Sequence, residues 1–125
     1  MLMKILSLCI GGAAGTLSRY WLSGVAQRMV GGSFPLGTFT VNIVGCLLFG
    51  LVWGFFENRL LPGSEIRLLC LTGFMGAFTT FSTYMFETAE LVKFGQVAMA
   101  MLNVVGQSVA GLVFVLLGIA LGRLI

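Results

Sequence analysis

The chain has 125 residues, 58% of them hydrophobic and 9% charged, with a net charge of +3. A soluble domain carries about a quarter charged residues, so this composition identifies an integral membrane protein with no extramembrane domain to hold a soluble active site. The basic residues are too few and too scattered for a nucleic-acid surface; they suit membrane boundaries.

At roughly 20 residues per span, the length predicts one transmembrane domain over residues 1–125, all-α, with four helices at about 3–27, 37–56, 65–93 and 96–123. Lys4 and the apolar run after it superficially resemble a signal peptide, but the run continues past Gly15 into Tyr20-Trp21-Leu22, so a retained first helix is expected. Gly11 and Gly15 form a G-x-x-x-G, a spacing that lets two helices approach closely. Arg19, in the second half of that helix, either snorkels to the interface or lines an aqueous vestibule, where it would concentrate anions.

Gly31, Gly32 and Pro35 mark a loop before the second helix. There Thr38 and Asn42 lie four apart on one face, which Gly45 extends. Asn42 stands several residues into the span; it serves either a helix–helix hydrogen bond or a polar pathway. Gly50 and Gly54 give another close-approach spacing, and Pro62-Gly63 reads as a turn.

The third helix carries Thr72 to Glu87, T-G-F-M-G-A-F-T-T-F-S-T-Y-M-F-E. Gly73 and Gly76 loosen it, and Thr79, Thr80, Ser82 and Thr83 place four hydroxyls in five residues. Such hydroxyls compete for helix backbone hydrogen bonds. A break is expected near Gly76 to Thr79. At membrane depth a break is tolerated only inside protein or against a polar cavity, which is where channels and transporters hold ions. In the fourth helix Asn103 and Gln107 lie four apart beside Ser108 and Gly111, a small polar stripe on an apolar helix.

The residue inventory narrows the chemistry. There is no His, and Cys9, Cys46 and Cys70 fall in separate apolar segments without C-x-x-C spacing, so they read as small buried residues. No nucleophile–base pair is present, and an enzyme is not expected. A four-helix proton-coupled multidrug exporter needs a carboxylate deep in the membrane; Glu87, near one end of its helix, is the only candidate. What remains is hydroxyls, amides and the aromatic pair Phe81 and Tyr84. Hydroxyl and amide donors can replace the water around a small anion, and ring edges can add to them. A narrow anion path follows, although the two rings also suit ordinary packing. A small structural membrane protein, its glycines and polar groups serving only helix packing, is the other alternative. The basic residues are poorly biased: Lys4, Arg59, Arg67 and Arg123 fall on one side, Arg28 and Lys93 on the other, joined by Arg19 if it snorkels. By the positive-inside rule such a chain can insert both ways, which makes an antiparallel dimer possible.

The G-x-x-x-G followed by Ser18-Arg19, the P-L-G-T-F-T-V-N-I-V-G from Pro35, and the T-G-F-M-G-A-F-T-T-F-S-T from Thr72 together resemble the CrcB, or Fluc, fluoride channels. The resemblance spans nearly the whole chain, and is weakest in the fourth helix. It implies a four-helix subunit in an antiparallel, dual-topology homodimer in the inner (plasma) membrane, with multi-pass topology and contact with lipid. It further implies two fluoride pores and a structural sodium ion at the dimer centre, held by backbone carbonyls at Gly76 and Thr79. By the same resemblance the pore asparagine is Asn42 and the pore aromatics are Phe81 and Tyr84. The hydroxyl track is Thr80, Ser82, Thr83 and Ser108, the acid is Glu87, and the helix 1 arginine is Arg19. Two departures stand out: the second pore phenylalanine is Tyr84, and the usual Gly-Gly is Gly76-Ala77.

Overall fold

Long apolar stretches without water to hydrogen-bond their backbone must satisfy it internally, and helices do so within one segment. The computed structural model describes residues 1–57 and 64–125, and every regular element among them is helical. The elements are α1 (Leu2–Val30), α2 (Leu36–Glu57), α3 (Ser64–Arg67), a π-helical segment π1 (Leu68–Met75), α4 (Gly76–Phe78), α5 (Phe81–Lys93) and α6 (Val97–Gly122). The turn expected at Pro62-Gly63 and the boundary charge Arg59 lie outside the described residues.

Among the described residues, three stretches are long and apolar enough to cross a membrane: Leu36–Glu57, Glu65–Lys93 and Val97–Gly122. α1 has the length, 29 residues, but Lys4, Arg19, Arg28, Gln27 and several Ser residues dilute its apolar character. The expected four spans therefore include one helix that composition alone does not qualify.

α1 ends on Gly31, whose φ of 56° is left-handed and suits a residue without Cβ. Gln27 then holds the following turn. Its Nε2 donates to the Gly32 carbonyl (3.3 Å) and the Phe34 carbonyl (3.1 Å), and its Oε1 accepts from the Gly37 amide (3.0 Å).

Small residues set how the helices meet. On α2, a Cβ at Gly50 or Gly54 would strike the Val115 or Ile119 carbonyl of α6. On α6, a Cβ at Gly118 or Gly122 would strike the Leu47 or Leu51 carbonyl of α2. The contacts rise together in number along both helices, so α2 and α6 run parallel with their backbones in close approach. Gly11 and Gly15 of α1 press in the same way on the Leu69 and Phe74 carbonyls of π1, again in parallel. The tight turn joining α1 to α2 makes that pair antiparallel, so successive long helices alternate in direction.

The break in the third helix lies slightly beyond the expected place. Gly76 is helical, with φ −62° and ψ −33°. The extended residues are Thr79 (φ −85°, ψ 159°) and Thr80 (φ −149°, ψ 115°). Glycine looseness does not locate the break; the competing hydrogen bonds described below do. The wide π turn before it has no counterpart in the sequence reading.

Few side chains are fully enclosed: Val41 and Asn103 are the largest, with Met75, Phe78, Tyr84 and Leu91 close behind. Leu102, Val109, Leu112 and Leu116 of α6 are exposed. Exposed aliphatic faces of this extent suit lipid or a second membrane chain rather than water.

Candidate functional site

Asn42 shapes the break. Its Oδ1 accepts the Thr80 amide (2.9 Å), and its Nδ2 donates to the Thr80 carbonyl (3.1 Å) and to Gln107 Oε1 (2.8 Å). In a continuous helix the Thr80 amide would serve the Gly76 carbonyl. Here it goes to Asn42. The Thr83 amide, which would serve the Thr79 carbonyl, instead caps α5 by donating to Thr80 Oγ1 (3.3 Å). Two carbonyls, Gly76 and Thr79, thus lose the helical donors they would otherwise have.

From Asn42 a one-way chain of amides crosses the bundle. Gln107 Nε2 donates to Asn103 Oδ1 (2.8 Å), Asn103 Nδ2 donates to Thr88 Oγ1 (2.9 Å), and Thr88 Oγ1 donates to the Tyr84 carbonyl (2.8 Å). Asn103 and Gln107 are buried. The chain leaves their amide groups partnered, as a low-dielectric interior requires. The stripe of Asn103 and Gln107 was visible at its helical spacing; Thr88 and Gln27 carried no signal beyond being polar.

Beside this chain lies a groove of about 360 Å³ lined by Asn42, Cys46, Thr79, Thr80, Phe81, Tyr84, Gln107 and Ser108, among others. A second cavity of about 610 Å³ lies toward the α1–α2 turn and takes in Thr38, Thr83, Glu87 and Gln96. Thr80 lines the first and Thr83 the second, and the two hydroxyls are 2.9 Å apart, Thr80 donating. A hydroxyl pair therefore stands between the two spaces. In the larger one the Thr38 hydroxyl donates to Glu87 Oε1 (2.7 Å), while Glu87 Oε2 and Gln96 Oε1 are buried acceptors with no protein donor.

The structure thus gathers Asn42, Thr80, Phe81, Tyr84 and Ser108 around one groove, with Thr83 and Glu87 in the adjoining cavity. Ser82 is exposed and Arg19 half-buried, and neither lines these spaces. The rings of Phe81 and Tyr84 are 5.6 Å apart and tilted by 59°. Their settings differ, since Phe81 is 73% exposed and Tyr84 only 7%. The Tyr84 hydroxyl donates to the Val104 carbonyl of α6 (3.3 Å). A phenylalanine could not make that link. The three cysteines are free thiols and, contrary to expectation, are not buried within the subunit: Cys9 is exposed, and Cys70 and Cys46, the latter on the groove wall, are half-buried. At the far end of the α2–α6 pair, Arg123 Nε donates to Glu57 Oε2 at 2.8 Å.

Apolar helices, one of them broken across a groove lined by hydroxyls and amides, define a membrane protein of the kind that handles ions. Residues 6–119 match the family described as "CrcB-like protein, Camphor Resistance (CrcB)". Among curated relatives, the fluoride-specific ion channel FluC of Maridesulfovibrio salexigens is 62% identical, covering 98% of this chain and 97% of its own. Those of Nitratidesulfovibrio vulgaris (51%; 99% and 100% covered) and Nitrosococcus oceani (48%; 100% of both) bear the same description. The chain belongs to the CrcB family.

Proposed function

We propose that this protein is a passive, fluoride-selective channel that lets fluoride leave the cytoplasm, and that it acts on no covalent bond. The observation that carries the reading is the groove at the Thr79–Thr80 break, with the hydrogen-bonded Thr80 and Thr83 hydroxyls between it and the Glu87 cavity, in a chain whose relatives are fluoride-specific channels. Fluoride enters cells as a neutral weak acid and is trapped as the anion at higher internal pH. A selective leak lets the membrane potential drive it out.

The pore reading assigns distinct roles. The hydroxyls of Thr80, Thr83 and Ser108 can stand in for water around a small anion, Thr80 and Ser108 by turning away from Thr83 and the Val104 carbonyl. Asn42 lines the route, but both of its N–H groups are already committed. Its main work is therefore to hold the break open, with Gln107 behind it. Phe81 supplies a ring at the groove mouth, and Arg19 an attractive potential from α1. Ser82, exposed beside Phe81, is assigned to the hydroxyl track through the partner copy rather than within one subunit.

The reading includes four spans per subunit in the inner membrane, and two copies packed in opposite orientations. The exposure of Phe81 and Gly76, on the same broken helix, supports a second copy covering that face. A sodium ion at the centre of such a dimer would need hard oxygen donors. The carbonyls of Gly76 and Thr79, deprived of their helical donors, fit that need. A Cβ at Gly76 would meet nothing within 4 Å in the subunit, so its backbone is open to a partner. Bound there, the ion would supply positive charge joining the two breaks.

The test is the driving force. In liposomes holding the purified protein, fluoride efflux should follow an imposed potassium diffusion potential and ignore an imposed pH gradient. Efflux that requires a proton gradient would replace the channel with a proton-coupled carrier using Glu87.

A further inference from the structure

The Val104 carbonyl of α6 is oversupplied with donors. It receives the Ser108 hydroxyl at 2.8 Å and the Tyr84 hydroxyl at 3.3 Å. It also stands four residues before Ser108 in a continuous helix, where it takes that residue's amide. A carbonyl oxygen has two lone pairs, so three donors exceed what it can hold well. The amide is fixed by the helix. The Tyr84 hydroxyl belongs to a ring that is only 7% exposed, and among the described residues it donates to that carbonyl alone. Ser108 is the donor that can leave: it is exposed and lines the groove with Asn42 and Phe81. A hydroxyl turns about a single staggered torsion.

We propose that Tyr84 is a positioning residue for anion passage: its phenol occupies the Val104 carbonyl, so that the Ser108 hydroxyl is released to turn toward an anion in the groove. With phenylalanine at this position the carbonyl would have only the amide and Ser108, and turning Ser108 away would cost a hydrogen bond. With tyrosine that bond is replaced as it breaks. A charged acceptor then competes well for the proton, because charge-assisted hydrogen bonds are about twice as strong as neutral ones. The proposal rests on the reading of the groove as the anion path.

The experiment is fluoride efflux from liposomes holding wild type, Tyr84→Phe, Ser108→Ala, the double variant, and Ser108→Thr with and without Tyr84→Phe. Tyr84→Phe should slow efflux about two- to tenfold, the scale of one net hydrogen bond. Ser108→Ala should slow it at least as much, and the double variant should match Ser108→Ala alone. Tyr84→Phe should act on Ser108→Thr as it does on wild type, since threonine keeps the hydroxyl. Wild-type efflux from Ser108→Ala would overturn the groove reading and this proposal together. Slow Ser108→Ala combined with wild-type Tyr84→Phe, or a double variant slowed by the product of the two single effects, would overturn the proposal alone. A fall in melting temperature that accounts for the Tyr84→Phe loss in every background would overturn it as well.

Discussion

Replacing Asn42 with aspartate keeps the side chain's shape while removing its donors and adding a charge. The oxygen that accepts the Thr80 amide at 2.9 Å is kept. The two donated bonds, to the Thr80 carbonyl at 3.1 Å and Gln107 Oε1 at 2.8 Å, are lost. In their place a carboxylate oxygen faces two acceptors. Gln107 cannot simply turn its amide around, because its Nε2 serves Asn103. An unsatisfied buried group costs about 1–3 kcal/mol, while hydrogen bonds between membrane helices average nearer 0.6 kcal/mol. Two lost bonds therefore give about 1–6 kcal/mol, with the half-open groove favouring the lower part of that range. A negative charge beside the path adds repulsion toward an anion. Unfolding of purified protein in mixed micelles should show the loss, and fluoride efflux should fall at least tenfold. Wild-type stability and wild-type flux in Asn42→Asp would refute both the role of Asn42 in holding the break and its place beside the pore.

Phe81→Ile should nearly abolish fluoride efflux while leaving the subunit fold intact, because the ring is exposed within its subunit; wild-type flux would remove Phe81 from the pore. Gly118→Leu places side-chain atoms on the Leu47 carbonyl and should cost at least about 1–3 kcal/mol through overpacking, read as loss of folded protein in a detergent melt. Arg123→Ala removes an exposed ion pair with Glu57 and should leave the melting temperature unchanged within error. Exchanging sodium for a large organic cation during purification should weaken the dimer or stop conduction, measured by single-molecule photobleaching counts and efflux; indifference to sodium would remove the ion assigned to Gly76 and Thr79.

Much of this arrangement was legible because polar residues in an apolar chain have few places to go. The hydroxyl run from Thr79 to Thr83 announced a break. The four-residue spacings of Thr38 with Asn42 and Asn103 with Gln107 put each pair on one helix face. Glycine spacings on α1 and α2 foretold close approach, and those on α6 complete the α2–α6 contact. What the chain could not reveal locally was decided across helices. Asn42 captures the Thr80 amide and carbonyl, and so shifts the break past Gly76 to Thr79 and Thr80. The π turn over Leu68–Met75 contains Gly73, which loosens the helix without announcing a wide turn rather than a break. Gln27 organises a loop by three hydrogen bonds that no motif signals. Exposure also separates residues that the family resemblance groups in one hydroxyl track: Ser82 is exposed and lies outside the groove that Thr80 and Tyr84 line.

The most direct measurement is fluoride and chloride loss from liposomes holding purified wild-type protein, with a potassium ionophore to balance charge. The account predicts fast fluoride loss while chloride stays inside. Retention of both ions by folded protein, or equal loss of both, would contradict a fluoride-selective pore at the broken helix.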